Sequence, residues 1–265
     1  MSILKPVQSV VAFLTILPVA RAGQAIEGSA HDIYYVARNM HLFPVAGAVI
    51  GLLVGAAGFE AALFLHPLIV GLLVTALLVI LTGVHHTDAL ADFADGLMAK
   101  GGKDVKRKAM LDPAVGSAGV AALVLYFAGM ISVFYSSGSA NPSWPAGFRI
   151  FTAIVAAEVI AKYVMVVLAG RGLSAWQGFS SPFTAAMKDA RKVVAATAIT
   201  IPIVWFAAGA GGLAAVLVSL AVAAVVKYAS DRSFGGISGD VLGASNELAR
   251  LSSLIVIFSW VPIGI

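Results

Sequence analysis

Cysteine is absent from this chain of 265 residues, and charged residues are scarce. The lack of cysteine excludes disulfide bonds, thiol nucleophiles and thiolate metal ligands, but it does not identify the compartment. Asp, Glu, Lys and Arg together make up only 11% of the residues, whereas 60% are hydrophobic. Because this composition is far from that of a soluble domain, we predict a polytopic membrane protein.

Apolar runs near the length needed to cross a bilayer as a helix recur along the chain. We predict spans at 41–64, 67–84, 115–135, 148–169, 193–208, 211–228 and 251–265, with a hairpin around Gly209–Gly212. The run Val7–Ala20 is shorter and contains Pro18, so we interpret it as a re-entrant or interfacial helix. The predicted fold is an all-α, polytopic integral membrane helical bundle of about seven spans, in a single domain over residues 1–265.

Positive charge is concentrated in four connecting segments. With seven spans, the segments 21–40, 85–114, 170–192 and 229–250 fall on one side and hold 13 of the 17 Lys and Arg residues. The positive-inside rule places this side in the cytoplasm, so we expect a cell-membrane protein whose active site faces the cytoplasm. The net charge of +4 then reports orientation, and we expect contact with membrane lipid but not with nucleic acid. Self-association as a homo-oligomer stays open.

Three aspartates, Asp88, Asp92 and Asp95, follow the second predicted span. Their i, i+4, i+7 spacing places them on one face of a helix. Converging carboxylates repel one another unless a cation joins them, and Mg²⁺ favours hard oxygen ligands. The pattern therefore predicts a Mg²⁺ site. A solvated acidic face is the alternative, which we disfavour because a surface helix gains from interleaved opposite charges.

Two further pairs of residues leave alternatives open. On an unbroken helix, His85 would share the aspartate face and His86 would lie nearly opposite, whereas a helix break near Gly83 would change this relation. Glu158 and Lys162 lie inside a predicted span at i, i+4 spacing, so they can pair on one helix face. That pair is either a neutralised packing contact or a substrate contact within the membrane.

The segment around the aspartates resembles a known family. The matching residues are His86, Asp88, Leu90, Ala91, Asp92, Asp95 and Gly96. They resemble the His-x-Asp-Gly-Leu-Ala-Asp-x-x-Asp-Gly signature of the cobalamin-5'-phosphate synthases, also called adenosylcobinamide-GDP ribazoletransferases. Four other segments resemble the family in the same order, namely 13–19, 43–51, 112–119 and 235–247. The chain departs from the family pattern at Ala89, Leu111, Pro113 and Ala114.

The resemblance implies Mg²⁺-dependent transfer of cobinamide phosphate from adenosylcobinamide-GDP to alpha-ribazole or its 5'-phosphate, with GMP as the leaving group. It makes Asp88, Asp92 and Asp95 the metal-binding and catalytic residues. It also selects His86 over His85, so that His86 or an aspartate free of metal is the expected base.

The resemblance and the local chemistry together suggest the remaining substrate-binding residues, which are Lys106, Arg107, Asp112, Lys162 and Asp240. Asp240 lies in a Gly-rich loop that permits close approach to a phosphate. Lys106 and Arg107 belong to the basic run Lys100–Lys108, which would either approach nucleotide phosphates or only fix topology beside anionic lipid.

Two other functions fit part of the pattern. A CDP-alcohol phosphotransferase also places aspartates at the cytoplasmic end of membrane helices, but its Asp-Gly-x-x-Ala-Arg signature is absent here. A divalent-cation carrier would use the same carboxylates for transport. Carriers usually hold their ion sites near the middle of the membrane, whereas these aspartates follow the end of a span.

Overall fold

The computed structural model describes residues 4–19, 30–136 and 146–260, and these form helices without a β-strand. A short 3-10 helix at Met40–Leu42 precedes the third α-helix. The α-helices of the described ranges are, in chain order, α1 Leu4–Leu14, α2 Ala30–Arg38, α3 Phe43–Ala62, α4 Pro67–Leu81, α5 His85–Met98, α6 Lys103–Met110, α7 Ser117–Ser136, α8 Ala146–Arg171, α9 Ser181–Ala186, α10 Ala190–Ser233 and α11 Gly239–Ser259.

Five stretches of helix in the described part of the chain are long and apolar enough to cross a membrane: Met40–Phe64, Ser117–Tyr135, Ala146–Arg171, Ala190–Ser233 and Gly239–Ser259. A sixth candidate consists of α4 and α5, which qualify only as one bent unit with 91° between its halves. The prediction of an all-α membrane bundle is confirmed. The count of seven spans is not.

The long helix α10 is interrupted at Gly209, whose φ of 54° and ψ of −140° are not helical. A Cβ placed on Gly212 would lie 2.9 Å from the carbonyl oxygen of Val204, although eight residues of straight helix rise about 12 Å. The chain therefore turns back on itself here, in a conformation that glycine adopts readily. The predicted hairpin is confirmed, with its turn at Gly209.

The prediction of the last span was wrong in position. The helix begins at Gly239, twelve residues before the predicted 251–265, and ends at Ser259. Asn246, Glu247 and Arg250 lower the apolar character of its first half, but all three are buried against other helices. Residues 20–29 and 261–265, on which parts of the predictions fall, lie outside the described residues.

The first helix, α1, agrees with the prediction of a short element at this position. It has 11 residues, which is too few to cross a bilayer. After its end, the backbone N–H of Ile16 donates a hydrogen bond of 2.9 Å to the carbonyl oxygen of Leu81. This bond ties the chain after α1 to the end of α4.

Helices α3 and α8 pack closely because α3 turns glycines toward its partner. A Cβ on Gly51 would lie 2.7 Å from the Cα of Val155, and one on Gly47 would lie 2.5 Å from the carbonyl oxygen of Glu158. Small residues four positions apart allow two membrane helices to approach each other this closely. The contact helps to hold α8 in the centre of the bundle, where it also contacts α10 and α11.

Substitution of Gly51 tests this packing. We expect Gly51→Leu to lower the midpoint temperature of unfolding in detergent by several degrees or more, because overpacking costs about 1–3 kcal/mol and here the obstacle is backbone. Gly102→Leu is the matched control, since a Cβ on Gly102 meets nothing within 4 Å. Equal midpoints for the two variants would contradict the close contact.

The four basic segments meet at one end of the bundle, which we call the basic end. Four contacts join them. Three are hydrogen bonds to carbonyl oxygens, from Lys192 Nζ to Arg38 at 2.9 Å, from Lys103 Nζ to Asp231 at 3.5 Å and from Ile237 N–H to Leu173 at 2.7 Å. The fourth is the Arg107 guanidinium, which lies 4.3 Å from the centre of the Trp176 ring. The prediction that these segments share one side is confirmed for the residues in these contacts, but residues 239–250 of the last segment belong to α11, where Arg250 is buried.

Candidate active site

A sharp break in the chain positions the predicted catalytic segment. Helix α4 ends at Leu81 and α5 begins at His85, and both Gly83 and Val84 between them have positive φ, at 66° and 67°. A β-branched residue rarely adopts this conformation, so the break at Val84 is held by its surroundings. A helix break near Gly83 was one of two alternatives that the sequence allowed, and it is present. It turns the aspartate helix across the end of α4.

A cavity of about 560 Å³ opens beside this break. Six polar side chains line it, and we call them its polar end: Thr15, Thr82, His85, His86, Asp88 and Asp240. Four aromatic side chains whose rings contact one another also line it, and we call them its aromatic end: Phe13, Phe43, Phe179 and Phe183. The cavity therefore joins carboxylates and imidazoles to an apolar wall, the usual composition of a site for a small organic ligand.

Negative charge collects at the polar end without a basic partner. Asp88 and Asp240 line the cavity, and the charges of Asp88, Asp95 and Asp240 all act on Asp92. None of these four carboxylates takes part in an ion pair within the described residues. An acidic cluster of this kind is suited to binding a cation.

Asp95 differs from the other aspartates because both of its oxygens are already bonded. They accept hydrogen bonds of 2.7 Å from Gly116 N–H and 2.8 Å from Gly119 N–H, at the start of α7. A Cβ on either glycine would lie 2.4 Å from a carboxylate oxygen. Asp95 thus satisfies free N–H groups at a helix N-terminus, where negative charge is stabilising.

The carboxylates fit a metal ion only if a ligand completes its coordination. In the described part of the chain, no three His, Asp or Glu side chains are close enough to hold a metal ion by themselves. Mg²⁺, however, is commonly bound by one or two carboxylates together with waters and substrate phosphates. Asp88 and Asp92 on α5 and Asp240 on α11 supply such oxygens. The donor set fits Mg²⁺ bound together with a phosphate-bearing substrate.

His86 lines the cavity from a buried position. Only 7% of its surface is exposed, and its Nδ1 atom has no hydrogen-bond partner among the described residues. His86 is buried because α5 packs closely on α11. A Cβ placed on Gly243 of α11 would lie only 3.5 Å from the Cα of His86. An unpaired buried nitrogen costs about 1–3 kcal/mol. Nδ1 is therefore suited to bonding a ligand or a water in the cavity.

Glu158 and Lys162 belong to a larger set of buried polar side chains, the buried charge network. Lys162 Nζ lies 3.5 Å from Glu158 and donates a hydrogen bond of 2.7 Å to Asn246 Oδ1. Arg250 binds both Glu158 and Glu247. The two acidic and two basic groups cancel in formal charge, and all of them are buried. The Glu158–Lys162 pair is confirmed.

A family model described as cobalamin-5-phosphate synthase matches residues 6–258. The chain belongs to this family. Two archaeal relatives, each named adenosylcobinamide-GDP ribazoletransferase, come from Methanocella arvoryzae and Archaeoglobus fulgidus. The first is 34% identical, over 96% of this chain and 95% of the relative. The second is 31% identical, over 95% of this chain and 96% of the relative.

A relative of the same name from Geotalea daltonii is 28% identical, over 92% of this chain and 93% of the relative. No solved structure matches the chain. This member of the cobalamin-5-phosphate synthase family is thus a transferase of cobalamin biosynthesis, built on membrane helices.

Several predicted substrate-binding residues of this synthase-family protein lie away from the cavity. Lys106 Nζ donates to the carbonyl of Leu97 near the end of α5, and Asp112 Oδ1 accepts a bond of 2.9 Å from Ala114 N–H. Arg107 and Asp112 line a second, shallow hollow beside α6. Lys162 is sealed in the buried charge network and does not line the cavity. The structure brings His86, Asp88 and Asp240 together, and places these other residues elsewhere.

Two features of the transferase were missed by the sequence analysis. The aromatic end of the cavity consists of residues from α1, α3 and the segment 179–183 that leads into α9. These elements are far apart in sequence, so no local pattern reveals the aromatic end. Arg250 was overlooked because it was assigned to a loop. The i, i+3 spacing of Glu247 and Arg250 next to an apolar run was the available signal for a pair within a helix.

Proposed function

We propose that this protein transfers the cobinamide phosphate of adenosylcobinamide-GDP to a ribose hydroxyl of alpha-ribazole or its 5'-phosphate, with release of GMP and with Mg²⁺ as cofactor. The observation that carries this proposal is the group of carboxylates without an ion-pair partner, of which Asp88 and Asp240 line the cavity. The names of the relatives supply the two substrate classes.

The reaction exchanges one phosphorus–oxygen bond for another. A ribose oxygen attacks the phosphorus of the cobinamide phosphate, the bond between this phosphorus and the bridging oxygen breaks, and GMP leaves with the bridging oxygen. Because the 5' oxygen is blocked in the phosphorylated acceptor, an enzyme that uses both acceptors must attack through another ribose hydroxyl. Mg²⁺, when bound, would neutralise the pyrophosphate and the developing charge on GMP.

The residues of the chain have separate tasks in this proposal. One or two of Asp88, Asp92 and Asp240 would hold the cation together with the pyrophosphate and so orient it, while Asp95 fixes α5 against α7. His86 lines the cavity, its Nδ1 has no partner among the described residues, and it is our candidate for the base that removes the hydroxyl proton. The aromatic end of the cavity would exclude water from the reaction.

The proposed location is the cell membrane, with the basic end in the cytoplasm. Its support is the collection of Lys and Arg residues at that end, which the positive-inside rule assigns to the cytoplasmic face. The donor and acceptor would then both reach the cavity from the cytoplasm.

The test is an assay of GMP release and corrinoid product with purified protein in detergent or liposomes, supplied with adenosylcobinamide-GDP and alpha-ribazole. We expect turnover with Mg²⁺, loss of turnover to background after treatment with EDTA, and recovery when Mg²⁺ is restored. Turnover that EDTA leaves unchanged would contradict the metal. Folded protein that makes no product from either acceptor would contradict the function, and lipid alcohols and cation flux would be tested next.

A further inference from the structure

The aromatic end of the cavity is built from rings that contact one another. The centre of the Phe13 ring lies 5.6 Å from that of Phe183, 5.9 Å from that of Phe179 and 6.1 Å from that of Phe43. Phe43 and Phe183 are buried, whereas Phe179 is 53% exposed. Two rings thus form a fixed floor, and Phe179 stands at the opening.

Phe179 also connects this aromatic end with the polar end. Gly239 directly precedes Asp240 in the chain, and a Cβ placed on Gly239 would lie 3.3 Å from the Phe179 ring. His86, with its unpaired Nδ1, lines the same cavity. A ligand that fills the cavity would therefore place a flat apolar group among the phenylalanines and its polar groups beside the carboxylates.

We propose that the aromatic end binds the base of the acceptor nucleoside, an apolar benzimidazole, by stacking on Phe179 and Phe183, so that the ribose points toward Asp88 and Asp240. This inference rests on the proposed function and deepens it by assigning one part of the cavity to one substrate. Base stacking on aromatic side chains is favourable for any flat ring system.

The surroundings favour a benzimidazole over the guanine of the donor. Guanine carries a carbonyl, a ring N–H and an amino group on its edge, and each of these needs a partner when it is buried. Three other side chains of the cavity lining, Ile33, Met40 and Met165, offer no N–H or O–H group. A benzimidazole nucleoside has no exocyclic polar group and only one free ring nitrogen, so fewer of its atoms need a partner in this environment.

The size of the cavity separates the acceptor from the corrinoid. At about 560 Å³, it lies within the range of about 300–1,000 Å³ that is typical of pockets for small organic ligands. A nucleoside fits this volume. The corrinoid ring with its side chains does not, and must approach the carboxylates from outside the cavity.

The experiment measures binding of alpha-ribazole to the purified full-length protein by equilibrium dialysis, in EDTA and without the donor. Phe179→Ala and Phe183→Leu are compared with the parent protein, and Phe206→Ala, whose ring is 87% exposed away from the cavity, is the control. We expect Phe179→Ala to weaken binding about tenfold. The KM for alpha-ribazole should rise by a similar factor, while the KM for adenosylcobinamide-GDP stays unchanged.

Each result has a definite meaning. Weaker binding in both cavity variants but not in Phe206→Ala supports the assignment, and unchanged unfolding temperatures exclude misfolding as its cause. Equal affinities in all variants overturn it, as does displacement of alpha-ribazole by a tenfold excess of GDP. Absence of binding to the parent protein also overturns it, and the GMP-release assay on the same sample then judges the proposed function separately.

Discussion

Asp92→Asn is expected to lower kcat for GMP release on the order of 1,000-fold while leaving the protein folded. Loss of one preorganised electrostatic contact commonly costs 10²–10³-fold, and Asp92 is the carboxylate on which all of the neighbouring aspartates act. The same substitution removes one charge from a group of like charges that has no basic partner. Its midpoint temperature of unfolding should therefore equal or exceed that of the parent protein, since strained functional sites often trade stability for activity.

Asp95→Asn is the matched comparison for this prediction. Asp95 accepts bonds from the N–H groups of Gly116 and Gly119, and an asparagine would direct its own NH₂ group at one of these donors. We expect a lower unfolding temperature in this variant, in contrast to Asp92→Asn. An Asp92→Asn enzyme with the activity of the parent in Mg²⁺ would show that the carboxylates do not act on the reaction.

Arg250→Met is expected to have the largest effect on folding. The guanidinium binds Glu158 on α8 and Glu247 on α11, and it also donates to the Tyr126 hydroxyl on α7 at 3.1 Å. Removal of one partner from a buried ion pair costs about 3–5 kcal/mol because it leaves charge buried and uncompensated. The free energy of unfolding, measured by denaturation of the purified protein in mixed detergent micelles, should fall by about this amount.

Arg191→Met provides the control for charge removal at an exposed site. Arg191 pairs with Asp189 at 3.0 Å, and its side chain is 89% exposed, so we expect no measurable change in stability. A second variant, Arg250→Met combined with Glu158→Gln and Glu247→Gln, removes the uncompensated charges and should recover part of the loss. Equal stability of Arg250→Met and Arg191→Met would contradict the buried charge network.

The regular features of the fold were predictable because their signals are local. Hydropathy located the helices α3, α7 and α8, and Gly209 with its flanking apolar runs indicated the hairpin. The start of α11 was not predictable from hydropathy, because Glu247 and Arg250 count as polar in a window although each is neutralised by a partner. A hydropathy window does not register the pairing of these two residues with each other, and it does not contain their further partners Glu158 on α8 and Tyr126 on α7.

The candidate site was predictable only in part, for the same reason. The spacing of Asp88, Asp92 and Asp95 identified the acidic helix, but it could not show that Asp95 is bonded to α7 while the other two remain unpaired. Asp240 joins them through packing of α11 on α5, where Gly243 contacts Ala89. The aromatic end of the cavity was not predictable at all, since it forms only when α1, α3 and the segment that leads into α9 meet.

The pairing pattern inside the buried charge network bears on how the protein enters the bilayer. Glu158 and Lys162 are four residues apart on α8, and Glu247 and Arg250 are three residues apart on α11. Each pair can form within its own helix before any other helix is present. The central parts of the two helices can therefore pass from the insertion machinery into lipid as formally neutral segments. The additional ion pair between Arg250 and Glu158 then joins the two helices during assembly.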